Sequence, residues 1–109
     1  MKIHVDKADI YREVYTPQGK LVILNWISVK EKYGVSTSDN LWLIDDSGER
    51  IWIATKTETP GKPYLLAYKE PFTEIVHNTE GAWVGITYSG DNFLIDLNNG
   101  FCQHKGWGK

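Results

Sequence analysis

The stretch Leu41-Trp42-Leu43-Ile44-Asp45-Asp46-Ser47-Gly48 decides the fold class, because it returns later in the chain as Phe93-Leu94-Ile95-Asp96-Leu97-Asn98-Asn99-Gly100. Each copy is an apolar run with an aromatic residue near its start. Each ends on an aspartate and a polar turn closed by glycine. A short unbroken apolar run bounded by turn residues fits a strand buried on both faces. An aspartate there can accept bonds from backbone N–H groups one or two residues on, and glycine tolerates the turn's backbone. Asp45 and Asp96 are therefore expected to cap turns, and both are poor candidates for catalytic acids.

Outward from the repeat, short apolar runs alternate with turn signals. Residues 2–5 and 10–15 are the first two runs, and Thr16-Pro17-Gln18-Gly19 is a turn in which Pro17 pre-sets φ. Residues 21–29 are the longest apolar-rich segment, and their β-branched residues and Trp26 suit a central strand. Residues 31–40 read as a polar loop. After the first copy, residues 50–55 return as a strand with Ile51, Ile53 and Thr55 on one face and Trp52 and Ala54 on the other. Glu58-Thr59-Pro60-Gly61-Lys62-Pro63 is a second long loop, since its prolines exclude regular pairing.

Further strands are expected at residues 64–68, 72–77, 82–88, 92–97 and 101–104, and residues 105–109 are expected to fray. No segment keeps helical periodicity over three turns, and residues 29–33 make one turn at most. About eight to ten short strands at hairpin spacing predict an all-β fold. The expected form is an antiparallel meander, arranged as a curved sheet, an open barrel or two packed sheets.

The 109 residues suit a single β domain over 1–109, with an internal repeat covering about 21–57 and 72–105. Hydrophobic content of 41% and charged content of 24% are ordinary for a globular chain. Aromatic content of 13%, with five tryptophans, favours pleated surfaces and interfaces. Twelve basic and fourteen acidic residues give a net charge of −2, and no basic run gathers as in a dedicated nucleic-acid binder. Direct nucleic-acid binding is therefore not expected. No apolar run approaches the roughly 20 residues of a bilayer-spanning helix, and the N-terminal residues Met1-Lys2-Ile3-His4-Val5-Asp6-Lys7 lack a secretory apolar core. The single Cys102 cannot form an internal disulfide. A cytoplasmic protein with no membrane partner is expected.

Two resemblances add to this reading. The unit Trp42, Leu43, Ile44, Asp45, Gly48, Trp52 and its second copy Phe93, Leu94, Ile95, Asp96, Gly100 resemble a blade segment of quinoprotein-type β-propellers. The two aspartates stand 51 residues apart, near one blade length, but a closed ring needs roughly four to eight blades. One chain of this length cannot close one. More widely, the order from Leu21 to Gly100 resembles small immunity proteins of bacterial contact-dependent, polymorphic toxin systems. The residues that carry it are Asn40-Leu41-Trp42-Leu43-Ile44-Asp45, Ile51-Trp52, Pro71-Phe72-Thr73-Glu74-Ile75, Trp83-Val84-Gly85-Ile86-Thr87 and Phe93-Leu94-Ile95-Asp96-Leu97. That resemblance implies a small β-rich antitoxin that binds one cognate protein toxin and blocks it by steric occlusion.

Nothing in the sequence has the spacing of an active site. His4, His77, His104 and Cys102 lack the spacing of a zinc site, although Cys102 and His104 share a strand face. No nucleophile elbow or phosphate-binding loop occurs, and Cys102 reads as a buried, inert thiol. No enzyme activity, metal or other cofactor is expected. A toxin inhibitor needs a rigid scaffold whose loops carry charged and aromatic groups. The candidate toxin-binding residues are Tyr33, Asp39, Glu49, Glu80, Asp91 and Trp107, the acidic ones suited to a basic toxin such as a nuclease. A monomer or dimer is expected. The alternative is a small ligand- or carbohydrate-binding β module, with Trp52, Trp83 and Trp107 as candidate stacking platforms.

Overall fold

A computed structural model describes residues 2–57 and 66–107. It is mostly β: nine strands in two packed sheets, with one short helix. The first sheet is the antiparallel meander β1 (Ile10–Thr16), β2 (Gly19–Leu24), β3 (Leu41–Ile44) and β4 (Arg50–Ile53). The second contains the meander β6 (Phe72–His77), β7 (Trp83–Thr87), β8 (Asp91–Ile95) and β9 (Phe101–Trp107). The short strand β5 (Thr55–Thr57) is added at its β9 edge. The two copies of the repeat thus end the third strand of each meander.

The aspartates cap their turns as expected. Asp45 Oδ1 accepts from Ser47 N at 2.9 Å, Glu49 N at 3.0 Å and the Ser47 hydroxyl at 2.6 Å. The Ser47 hydroxyl above all, then the Glu49 amide, holds the Asp45 carboxyl below its usual pKa. Asp96 Oδ1 accepts from Asn98 N at 2.9 Å. Both closing glycines have positive φ, +91° at Gly48 and +83° at Gly100. A Cβ on Gly100 would also lie 2.6 Å from the Trp52 ring. Gly100→Ala is therefore expected to lower unfolding free energy by about 1–3 kcal/mol in urea titrations, from backbone strain and overpacking together.

The apolar runs of β2 and β3 are buried on both faces because the first sheet is the middle layer. Leu21, Ile23, Leu41 and Leu43 face the second sheet and pack with Phe72, Phe93, Ile95 and Cys102. Val22, Leu24, Trp42 and Ile44 face the other way, against Val5, Val29, Ile3 and Tyr33. Cys102 is fully buried, and burial pushes its thiol pKa up to about 12.

Four local expectations are corrected. The apolar stretch 21–29 does not continue as one strand. β2 stops at Leu24, and α1 (Trp26–Tyr33) follows with two turns instead of one. Asn25 caps it, its Oδ1 accepting from Ile27 N at 3.0 Å, and Gly34 ends it at φ +69°. The strand expected over 50–55 breaks at the buried Ala54, where the chain changes sheets. Ala54 N bonds Leu41 O in the first sheet, and Thr55 N bonds Gly100 O at the second. Consequently β5 lies parallel to β9, the one parallel pair in the described sheets. Such a pair needs a long connection, here supplied by the intervening β6–β8 meander.

The strand expected over 64–68 is, from Leu66 to Lys69, a 3-10 turn. Finally, residues 105–107 do not fray: β9 continues to Trp107, which stands opposite Asp91. The N-terminal run pairs only through an isolated bridge between His4 and Glu49. The loop expected over 58–63 lies outside the described residues.

Candidate functional site

The two edge strands β1 and β6 meet along a seam between the sheets. Arg12 Nε of β1 lies 3.4 Å from Glu74 Oε1 of β6, an exposed ion pair across that seam. Beside it opens a cleft of about 260 Å³, with Ile23, Leu24, Asn40 and Phe72 at its buried base and Tyr11, Asn25, Trp26 and Thr73 around it. Trp26 stacks on Tyr88, with ring centroids 6.0 Å apart and planes 21° apart. Tyr11, Trp26 and Tyr88 are 57%, 41% and 64% exposed, and Ile27 beside them is exposed as well. The Arg12 guanidinium lies over the Tyr11 ring at 4.7 Å. Exposed apolar groups gathered into one patch mark an interaction surface more than single ones do, and Trp, Tyr and Arg are the side chains enriched at binding hot spots.

Local structure fixes each of these groups. The Asn25 cap makes Trp26 the first helical residue and turns its indole out of the sheet. Tyr88 is held by its turn: its N–H bonds Pro71 O at 3.0 Å, while Glu70 accepts from the hydroxyls of both its neighbours, Thr87 and Ser89. Asn40, 1% exposed, fixes the base of the cleft. Its Nδ2 donates to Leu24 O at 3.1 Å and Phe72 O at 3.0 Å, and its Oδ1 accepts from Phe72 N at 2.8 Å. One amide thus joins the end of β2 to the start of β6.

The indole nitrogens are used differently. Trp42 Nε1 donates to Asp39 O at 2.8 Å and Trp52 Nε1 to Leu97 O at 3.0 Å. Trp26 Nε1 has no acceptor among the described residues. Trp52 and Trp83 are half-buried against the core, a packing role more than a platform.

The six residues singled out from the sequence do not form one surface. Tyr33 and Glu49 both hold the N-terminal segment. The Tyr33 hydroxyl donates to Asp9 Oδ2 at 2.7 Å and accepts from Asp6 N at 3.0 Å; Glu49 bridges to His4 and lies 3.8 Å from Lys2. The Tyr33 bond, then Lys32, lowers the pKa of Asp9, while burial raises that of Tyr33. Asp39 is half-buried, and desolvation raises its pKa. Asp91 Oδ1 pairs with His104 Nε2 at 2.8 Å, between the neighbouring strands β8 and β9. Glu80, in the β6–β7 turn, is the exposed member of the acidic set. Asp91 and Trp107 face each other in register across β8 and β9; the Trp107 side chain lies outside the described residues. Tyr11, Arg12, Trp26 and Tyr88 were missed. The signal for Trp26 was the spacing Asn25…Gly34, a helix start and stop around two turns.

Lys56 is a half-buried cation close to the core. Its Nζ donates to Ser38 O at 3.1 Å and to Glu70 O, and it lies over the rings of Phe72 at 4.7 Å and Phe93 at 5.9 Å. Burial, outweighing the nearby Asp39, Cys102 and Glu70, pushes its pKa down to about 8. The folded state therefore gives up this proton before the unfolded chain does. Below pH 8 the penalty of the Lys56 charge is present in full; between about pH 8 and 10.4 it is relieved, so the Lys56 contribution to stability rises with pH, opposed from about pH 9 upward by the Cys102 thiol, which ionises first in the unfolded chain. The two carbonyls favour the charged form and limit the gain to about 1–3 kcal/mol. Lys56→Met is expected to remove that rise when urea midpoints of the two proteins are compared across this range.

The chain has no match among family models, curated proteins or solved structures.

Proposed function

We propose that this chain is a binding protein, an immunity protein that neutralises a bacterial toxin by covering its working surface. The observation that carries this reading is the exposed Trp26–Tyr88 stack beside Tyr11 and Arg12, held on a rigid two-sheet scaffold. Such a patch is costly to leave in water and supplies the anchors that dominate protein interfaces. The reading assigns the chain no catalytic step and no cofactor, and it places the work in the cytoplasm. Contact rests on aromatic anchors more than on charge, because Arg12 is offset by Glu74 and the net charge is −2. Glu80 remains the acidic residue free to meet a basic toxin such as a nuclease.

The cleft volume favours a protein partner over a small ligand. At about 260 Å³ it falls below the ~300–1,000 Å³ of ordinary ligand pockets. It has room for an anchor side chain or a short segment. The exposed stack also suits a sugar ring, so a carbohydrate-binding module is the second reading. The test is to read the genes on either side of this one and to mix the purified chain with any toxin domain they encode; neighbours that encode none count against the reading. A stable complex by size exclusion, lost on Trp26→Ala, supports the binding reading. No complex with that domain, together with saturable oligosaccharide binding at Trp26, supports the alternative.

A further inference from the structure

We infer that the outer face of the second sheet docks a second copy of this chain, in a two-fold dimer; the toxin reading above does not depend on it. A sheet with one face in water usually turns polar residues outward. Here the register sets Val76, Val84 and Leu94 side by side across β6, β7 and β8, with Ile86 next on that face of β7. Their neighbours Ile75, Trp83, Phe93 and Ile95 pack inward on the core, so these four point out. All four line one open groove, and Val76 is 40% exposed. The outer face of the first sheet is covered by α1 and the N-terminal segment. Among the described residues, no segment covers this groove in the same way.

The charges at the ends of the groove identify the occupant. Glu80 lines it from the β6–β7 turn, at one corner of the face. Lys105 lines it from β9, across the sheet and toward the opposite end of the strands. Both residues are exposed, and neither side chain has an ionic partner among the described residues. Val84 and Leu94, paired in register, lie between them. A partner surface of one sign would meet one of these charges and repel the other. A second copy carries both signs at the spacing required. A two-fold axis lying in the face, over Val84 and Leu94, sets each Glu80 against the other copy's Lys105. The same operation closes the apolar middle between two identical surfaces.

The size of the face sets the strength. Strands lie about 4.8 Å apart, and β7 and β8 are five residues long, so β6 to β9 span roughly 15–20 Å in each direction. This falls short of the roughly 800 Å² per partner of a standard interface, so the dimer is reversible, with a dissociation constant of about 10–100 µM. Tyr11 and Trp26 line the seam cleft and not this groove, so the seam stays open in each copy. Glu80 then serves the dimer, and the toxin contact is left to the seam.

The test is sedimentation velocity of the intact chain from about 1 µM to about 1 mM, a range that brackets that constant. The mass is expected to rise from one chain to two. Glu80→Lys and Lys105→Glu, taken singly, each make both charge pairs repulsive and are expected to weaken the dimer about tenfold or more. An equimolar mixture of the two variants is expected to recover the native strength, because the two-fold then sets lysine against glutamate at both places. Thermal unfolding checks that both variants remain folded. The inference is overturned if the native chain stays a monomer throughout, if neither charge reversal weakens the dimer, or if mixing the variants does not restore it. A chain that stays monomeric and still binds a toxin through Trp26 overturns this inference and leaves the toxin reading standing; a dimer restored by mixing that binds no toxin does the reverse.

Discussion

Asn40→Ala is expected to lower the unfolding free energy by about 3–5 kcal/mol. Asn40 is 1% exposed and makes three bonds to backbone groups of two different strands. Alanine leaves the Phe72 N–H and two carbonyls short of a partner at the buried base of the cleft. Each buried group left unmet costs about 1–3 kcal/mol, and the lost side-chain volume adds to it. A domain of this size has about 5–15 kcal/mol in all, so the variant lies close to the unfolding threshold.

Asn40→Asp separates shape from hydrogen bonding. It keeps the acceptor for Phe72 N but aims a carboxylate at Leu24 O and Phe72 O. Its loss is expected to match that of alanine at pH 7 and to shrink at lower pH as the acid protonates and can donate one bond. Urea titrations of the three proteins at both pH values check this. A loss under about 1 kcal/mol in both variants would mean that Asn40 does not join the sheets.

Trp26→Ala is expected to act in the opposite way, leaving stability nearly unchanged and removing function. Trp26 is 41% exposed at the first position of α1, where alanine is a good helix residue. Stability is expected to change by no more than about 1 kcal/mol. Toxin affinity is expected to fall by about 30-fold or more, the effect of about 2 kcal/mol at a tryptophan hot spot. Tyr88→Ala is expected to have a smaller effect. The double variant should lose less than the sum, because the two rings touch and share one anchor. Tyr15, the most exposed large apolar residue among the described residues, lies at the far end of β1. Tyr15→Ala is the control, with affinity unchanged. Isothermal titration with the toxin domain measures all four.

Much of the fold was legible because the core strands state their burial directly. In Leu41–Ile44 every residue is apolar, and every one is buried. Asp45 and Asp96 announced their turns, and the turns formed as the side-chain chemistry requires. What stayed hidden depended on tertiary choices. Val29 is β-branched and suits a strand, yet it is buried inside a helix because Asn25 and Gly34 bracket two turns. Ala54 carries no mark in the sequence of the change of sheet, which follows from two backbone bonds to different sheets.

The candidate site was the least legible part. Acidic turn residues looked free in the sequence, but Asp91 is tied to His104 and Asp39 is half-buried. The aromatic seam is assembled from β1, α1 and the β7–β8 turn, which are far apart in the chain. No local pattern brings Tyr11, Trp26 and Tyr88 together; only the meeting of two sheet edges does.

The central claim is that the seam binds and silences a toxin. The most direct measurement is survival of cells that express a toxin domain drawn from the neighbouring genes, together with this chain or its Trp26→Ala/Tyr88→Ala variant. Rescue by the native chain and death with the folded double variant is the expected result. Death with the native chain present, or equal rescue by both, would contradict the claim.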